Sequence, residues 1–104
     1  MPSRSNHQQD LINLFASIES KEEAEMLLKD ILTPQEREDI AERWQLIQAL
    51  ASGLTQREVA KKCKVSISKV TRGAHEMKYG SGGFGHFLRK IKIEGRKTTQ
   101  KRNH

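Results

Sequence analysis

Residues 55–73 read TQREVAKKCKVSISKVTRG. The stretch has the form of a helix-turn-helix, two short helices crossing steeply so that the second can enter a DNA major groove. Ala60 is small where the helices cross, and Val59, Cys63, Val65 and Val70 supply the apolar positions that hold the pair together. Thr55 opens a capping box with Glu58: its hydroxyl accepts a backbone N–H while the carboxylate reaches back. Ser66 is placed to cap the second helix after the turn Lys62-Cys63-Lys64-Val65. A tight turn here favours glycine, so Lys64 must either take a positive φ or force a variant turn. An ordinary helical hairpin would need none of these coincidences.

Charge is divided sharply along the chain. Residues 1–50 hold five Lys/Arg and ten Asp/Glu, a balance of −5, whereas residues 51–104 hold fourteen and three, a balance of +11. The overall +6 therefore conceals a strongly basic half that contains the candidate DNA reader. Such a field favours a polyanion, since each neutralised phosphate releases condensed counterions.

At 104 residues the chain is expected to form one domain. Its single cysteine, Cys63, excludes an intrachain disulfide, fits a reducing compartment and sits where a buried structural thiol belongs. No 18-residue apolar run exists, and MPSRSNHQQ does not resemble a signal peptide, so a cytoplasmic protein without membrane contact is expected. No Ser/His/Asp constellation is present, and His7, His75, His86 and His104 lack metal-ligand spacing. An enzyme is not indicated, and no cofactor or metal is implied.

Every periodic segment is helical. Residues 1–9 are expected as a disordered N-terminal arm, and residues 10–93 as a helical dimerisation core carrying the reading head at 55–78. From Asp10 to Ser20, Leu11, Leu14, Phe15 and Ile18 mark one face, with Ile12 beside it. Ser20 and Glu23 form a second capping box, opening a helix with Ala24, Leu27, Leu28 and Ile31 aligned. Thr33-Pro34-Gln35-Glu36 is a third, with proline at the first helical position. The helix that follows runs to about Ser52 and stops at Gly53; its apolar residues wrap most of the cylinder, which makes it central.

The second helix of the motif continues to about Lys78, and Tyr79-Gly80-Ser81-Gly82-Gly83 breaks it. Phe84, Phe87, Leu88 and Ile91 form a last amphipathic turn or two. Residues 94–104, EGRKTTQKRNH, hold no apolar side chain and read as a disordered basic tail. GSGGFG follows a helix rather than a strand and lacks a P-loop lysine, so it is not read as a phosphate cradle. So small a chain, with so much apolar surface on its helices, calls for a homodimer, which also presents two readers to a symmetric site.

LTPQERE (32–38), Arg43, LTQREVA (54–60) and VSISKVTRG (65–73), in this order, resemble the tryptophan repressor family. The resemblance spans about 60 residues, from Leu32 to Phe87. It implies an all-α, intertwined homodimer of six helices per chain, with a corepressor pocket between the core and the DNA-reading head. Arg43 and Arg72 match the arginines that sandwich an indole ring, Arg72 also meeting the ligand carboxylate; planar guanidinium groups suit both tasks. Leu32, Thr33 and Gly73 match as well.

Three positions depart from familiar members of the family. Lys69 stands for a small hydroxyl residue beside the indole, Glu76 for a serine near the ligand's polar end, and Asp30 for a leucine at the end of the second helix. Lys69 and Glu76 can pair with each other, meet the charged groups of an amino acid, or fill a site that binds nothing. The segment after the central helix is also one residue shorter.

The resemblance implies a sequence-specific repressor of double-stranded DNA operators, activated by L-tryptophan as corepressor. The alternative is a regulator of the same fold that is ligand-independent or answers another small molecule. Corepressor candidates are Leu32, Thr33, Arg43, Lys69, Arg72, Gly73 and Glu76. DNA candidates are Gln56, Arg57 and Lys61 on the first helix of the motif, and Ser66, Ile67, Ser68, Lys69 and Thr71 on the second.

Overall fold

The computed structural model describes residues 4–102, with side-chain surroundings for residues 6–92. Among the described residues it is all-helical: α1 (Arg4–Ala16), α2 (Lys21–Ile31), α3 (Pro34–Ala51), α4 (Gln56–Cys63), α5 (Ile67–Tyr79) and α6 (Gly83–Arg102). Two compact units divide between Glu38 and Asp39.

Two bounds differ from expectation. Helix α1 begins at Arg4, inside the arm expected over 1–9, and α6 continues to Arg102, through most of the tail expected over 94–104. Once a helix is nucleated, each added residue contributes one backbone bond and needs no apolar partner. Lys, Arg, Gln and Glu, which are plentiful in 94–102, are good helix formers. The ends of both segments, 1–3 and 103–104, lie outside the described residues.

In the N-terminal unit the caps decide where helices start. Ser20 Oγ accepts the Glu23 N–H at 3.1 Å, but the Glu23 carboxylate takes the Glu19 N–H at 2.8 Å, one residue before the expected box partner. The Thr33 box is complete, with Glu36 N–H to Thr33 Oγ1 at 3.1 Å and Thr33 N–H to Glu36 Oε1 at 2.8 Å. Arg37 closes the α2–α3 corner by donating to the carbonyls of Lys29 and Leu32 at 3.1 and 3.0 Å. Leu11, Ile12, Leu14 and Phe15 remain exposed.

The second unit contains the core. Leu46, Ile47 and Ala49 of α3 are buried with Val59 of α4 and Val70 of α5; Ile47, Val59 and Val70 are wholly inaccessible. Burying an aliphatic side chain of this size contributes about 1.5–3 kcal/mol. Helix α3 supplies three of these five residues, which fits its central place, though Ile40 and Ala41 on its other side are exposed. Leu50, Leu54, Ala60, Cys63 and Val65 pack partly buried around this centre. Gly53, with φ of +100°, ends α3 at the expected position.

Candidate nucleic-acid interface and effector cavity

Helices α4 and α5 form the expected helix-turn-helix. Thr55 Oγ1 accepts the Glu58 N–H at 3.2 Å and Glu58 Oε1 accepts the Thr55 N–H at 3.0 Å, completing the box. The Thr55 backbone N–H and hydroxyl together hold the Glu58 carboxyl below the usual glutamate range. Lys64 resolves the turn by taking the left-handed conformation itself, with φ 57° and ψ 46°, while Val65 N–H reaches back to the Ala60 carbonyl at 3.1 Å. Ser66 caps α5 by accepting the Lys69 N–H at 3.2 Å.

All of the DNA candidates, Gln56, Arg57, Lys61, Ser66, Ile67, Ser68, Lys69 and Thr71, are exposed. One contact among them is not legible from spacing: Thr71 Oγ1 donates to Gln56 Oε1 at 2.8 Å. With its oxygen thus engaged, the Gln56 side chain is left to offer its amide N–H groups outward, and the bond fixes the two helices of the motif against each other.

A cavity of about 520 Å³ lies between α3 and α5. From α3 it is lined by Asp39, Glu42, Arg43 and Leu46, and from α5 by Lys69, Arg72, Gly73 and Glu76. Each set has the spacing i, i+3, i+4, i+7, so each is one stripe along its helix. Phe84, at the start of α6, completes the wall. The helices run past each other in the same direction, for contacts advance four residues on both, from Glu42–Lys69 to Leu46–Gly73.

Gly73 is buried, and a Cβ there would collide with Leu46 Cδ1 and come within 3.4 Å of Ile47 Cδ1. Close approach of α5 to α3 therefore requires this glycine. Lys69 Nζ lies 2.9 Å from Glu42 Oε1 across the same gap. The hydrogen bond and charge of Glu42 hold the Lys69 ammonium above the ordinary lysine range; Asp39 adds to this and Arg43 opposes it.

Of the corepressor candidates, the structure brings together Arg43, Lys69, Arg72, Gly73 and Glu76. Lys69 pairs with Glu42, not with Glu76. Leu32 and Thr33 belong to the N-terminal unit, where Leu32 ends α2 and Thr33 caps α3. Asp39, Glu42, Leu46 and Phe84 were not expected in the lining. The first three are readable as helical neighbours of Arg43, but Phe84 follows the glycine break and carries no such signal. Trp44 stacks on Phe84, with ring centroids 6.3 Å apart and planes 26° from parallel.

The family described as Trp repressor protein matches residues 6–92. The chain belongs to the Trp repressor family. The match takes in the N-terminal helix that the sequence resemblance left out. Relatives described as Trp operon repressor homologs include one from Chlamydia trachomatis serovar L2, 42% identical over 81 residues, or 73% of this chain and 86% of the relative. Another, from Chlamydia caviae, is 38% identical over 90 residues, or 86% and 89%. A third, from Vibrio cholerae, is 37% identical over 78 residues, or 74% and 75%. No solved structure gives a match. As a member of this Trp repressor family the chain is a repressor-type transcriptional regulator rather than an enzyme. Among the described residues, no helix is long and apolar enough to cross a membrane.

Proposed function

We propose that this Trp repressor family member binds a two-fold DNA operator as a homodimer, with L-tryptophan as the effector that licenses binding. The observation carrying the reading is the cavity under α5. Arg43 and Arg72 both border it, and Lys69, in the first turn of the DNA-reading helix, stands at its edge. A ligand held there would bear on the position of that helix, shifting the population toward the DNA-competent form. A volume of about 520 Å³ suits a small molecule. Its three acidic and three basic side chains balance, as suits a zwitterion, while Leu46 and Phe84 offer apolar contact to an indole.

Homodimer formation is supported by apolar surface left open on the single chain. Leu11, Ile12, Leu14 and Phe15 are between 41% and 56% exposed, and Phe87 and Ile91 border a second, apolar cleft beside Trp44 and Met77. A second copy would cover these faces, as an intertwined dimer does. Sedimentation equilibrium should return twice the mass of one chain.

One feature favours a second reading. The Lys69–Glu42 bridge ties α5 to α3 through the protein's own side chains, which is what a ligand-independent regulator would need. Selecting binding sites from random double-stranded DNA, with and without L-tryptophan, decides between the two. Calorimetry with L-tryptophan completes the test. Tryptophan-dependent site selection with measurable heat supports the effector reading. Tight selection without the amino acid, and no heat at millimolar concentration, leaves the ligand-independent regulator.

A further inference from the structure

We infer that Glu76 accepts the ammonium group of the effector, so that the cavity selects for molecules carrying a carboxylate and an amine on one carbon. This deepens the effector reading above and rests on it. Arg72 and Glu76 are one turn apart on α5 and both border the cavity. Side chains at i and i+4 are neighbours on a helix surface and often pair. Among the described residues, no ion pair joins these two. With the basic residue placed N-terminal to the acidic one, the pair has the less favourable order for bridging along a helix. Opposite charges are thus held side by side, unjoined, at the edge of a cavity.

The other charges around the cavity are differently occupied. Glu42 is bridged by Lys69 at 2.9 Å, which engages one acid and one base with each other. Asp39 acts on the charge of Lys69 at that same end of the stripe. Arg43 and Arg72 are left as cations for a carboxylate, and Glu76 lies at the opposite end of the α5 stripe from Lys69. An α-amino acid carries its carboxylate and ammonium on a single carbon, a short span that Arg72 and Glu76, one turn apart, can bracket. Its side chain would then lie toward Leu46 and Phe84.

The test is calorimetry on the full chain with L-tryptophan and with indole-3-propionate, which lacks only the amine. Wild type should bind indole-3-propionate roughly 10- to 150-fold more weakly than L-tryptophan, the usual cost of a missing charge-assisted hydrogen bond. Glu76→Gln should lower L-tryptophan affinity by a similar factor and leave indole-3-propionate unchanged, erasing the preference. Because the readout is the ratio of two ligands on one protein, a loss of folded fraction does not mimic it. Equal binding of both ligands to wild type would remove Glu76 from this role and leave the effector site standing. Failure of both ligands to bind would overturn the assignment together with the effector reading.

Discussion

Lys69 Nζ lies 2.9 Å from Glu42 Oε1, tying the first turn of α5 to the side of α3. A lysine held this way is less free to neutralise a phosphate, so the bridge competes with the DNA contact expected of Lys69. Glu42→Gln should release it. Expected is stronger DNA binding at low salt, with the slope of log K against log salt steeper by about 0.9, one phosphate's worth. A salt titration that leaves the slope unchanged would show that Lys69 does not reach the backbone.

Stability should respond to pH in opposite senses at the two perturbed groups of this unit. Lys69 is raised, so what it contributes is complete below the ordinary lysine value and fades as pH climbs through the raised one. Glu58 is lowered by its capping bonds, so its contribution is complete above the ordinary glutamate value and fades as pH falls through the lowered one. The melting gap between wild type and Glu58→Gln should be open at neutral pH and closed in strong acid. The gap for Glu42→Gln should close only in strong alkali. Thr55→Ala, which removes the cap hydroxyl, should cost about 1 kcal/mol at neutral pH.

Local chemistry was legible in the sequence, and contacts between distant segments were not. Capping boxes, the Gly53 stop and the Lys64 turn depend on residues within four or five positions of each other, which a pattern can display. The Thr33 and Thr55 boxes formed fully, whereas Glu23 slipped to the neighbouring Glu19 N–H, since both N–H groups lie within reach of a flexible carboxylate. The Lys69–Glu42 and Thr71–Gln56 bonds span 27 and 15 residues, and their partners follow only from how α3, α4 and α5 pack. The arginines of the cavity came from family resemblance; its acidic side and Phe84 came from the fold.

Within the reading head, positioning and recognition should separate. Thr71→Val keeps the shape but deletes the hydroxyl that donates to Gln56. It should change which sequence is preferred, because Gln56 loses its fixed orientation, and should leave the salt slope alone. Lys61→Ala should do the reverse, weakening all sequences alike and lowering the slope by about one unit. Site selection and salt titration on both variants provide the check. An altered sequence preference in Lys61→Ala would reassign that lysine to base recognition.

Gly73→Ala places a methyl against Leu46 Cδ1. Overpacking of this kind costs about 1–3 kcal/mol, and the better helix propensity of alanine offsets about 1 kcal/mol. The net change in melting temperature should therefore be modest. Leu46 also lines the cavity, however, so its displaced methyl narrows the site. Effector affinity should fall more than stability does, measured by calorimetry beside thermal melting. Unchanged affinity would mean that Leu46 moves away from the cavity.

Arg43 and Arg72 should both weaken tryptophan when altered, though for different reasons. Arg43→Ala removes a planar cation on α3 that borders the cavity, and should cost about 1.5–3 kcal/mol, or roughly 10- to 150-fold in affinity, if it meets the ligand through a charge-assisted contact. Arg43 is exposed, so the fold and the dimer should survive. Arg72→Lys keeps the charge and loses the fork that binds a carboxylate with two parallel bonds. It should therefore lose L-tryptophan affinity while retaining most of its tryptophan-independent DNA affinity. Because effector and operator binding are linked, each variant's loss at saturating DNA should be matched by an equal loss of tryptophan's enhancement of operator binding. Should Arg72→Lys instead lose DNA affinity equally with and without tryptophan, Arg72 is a phosphate contact, and the carboxylate must be held by Arg43.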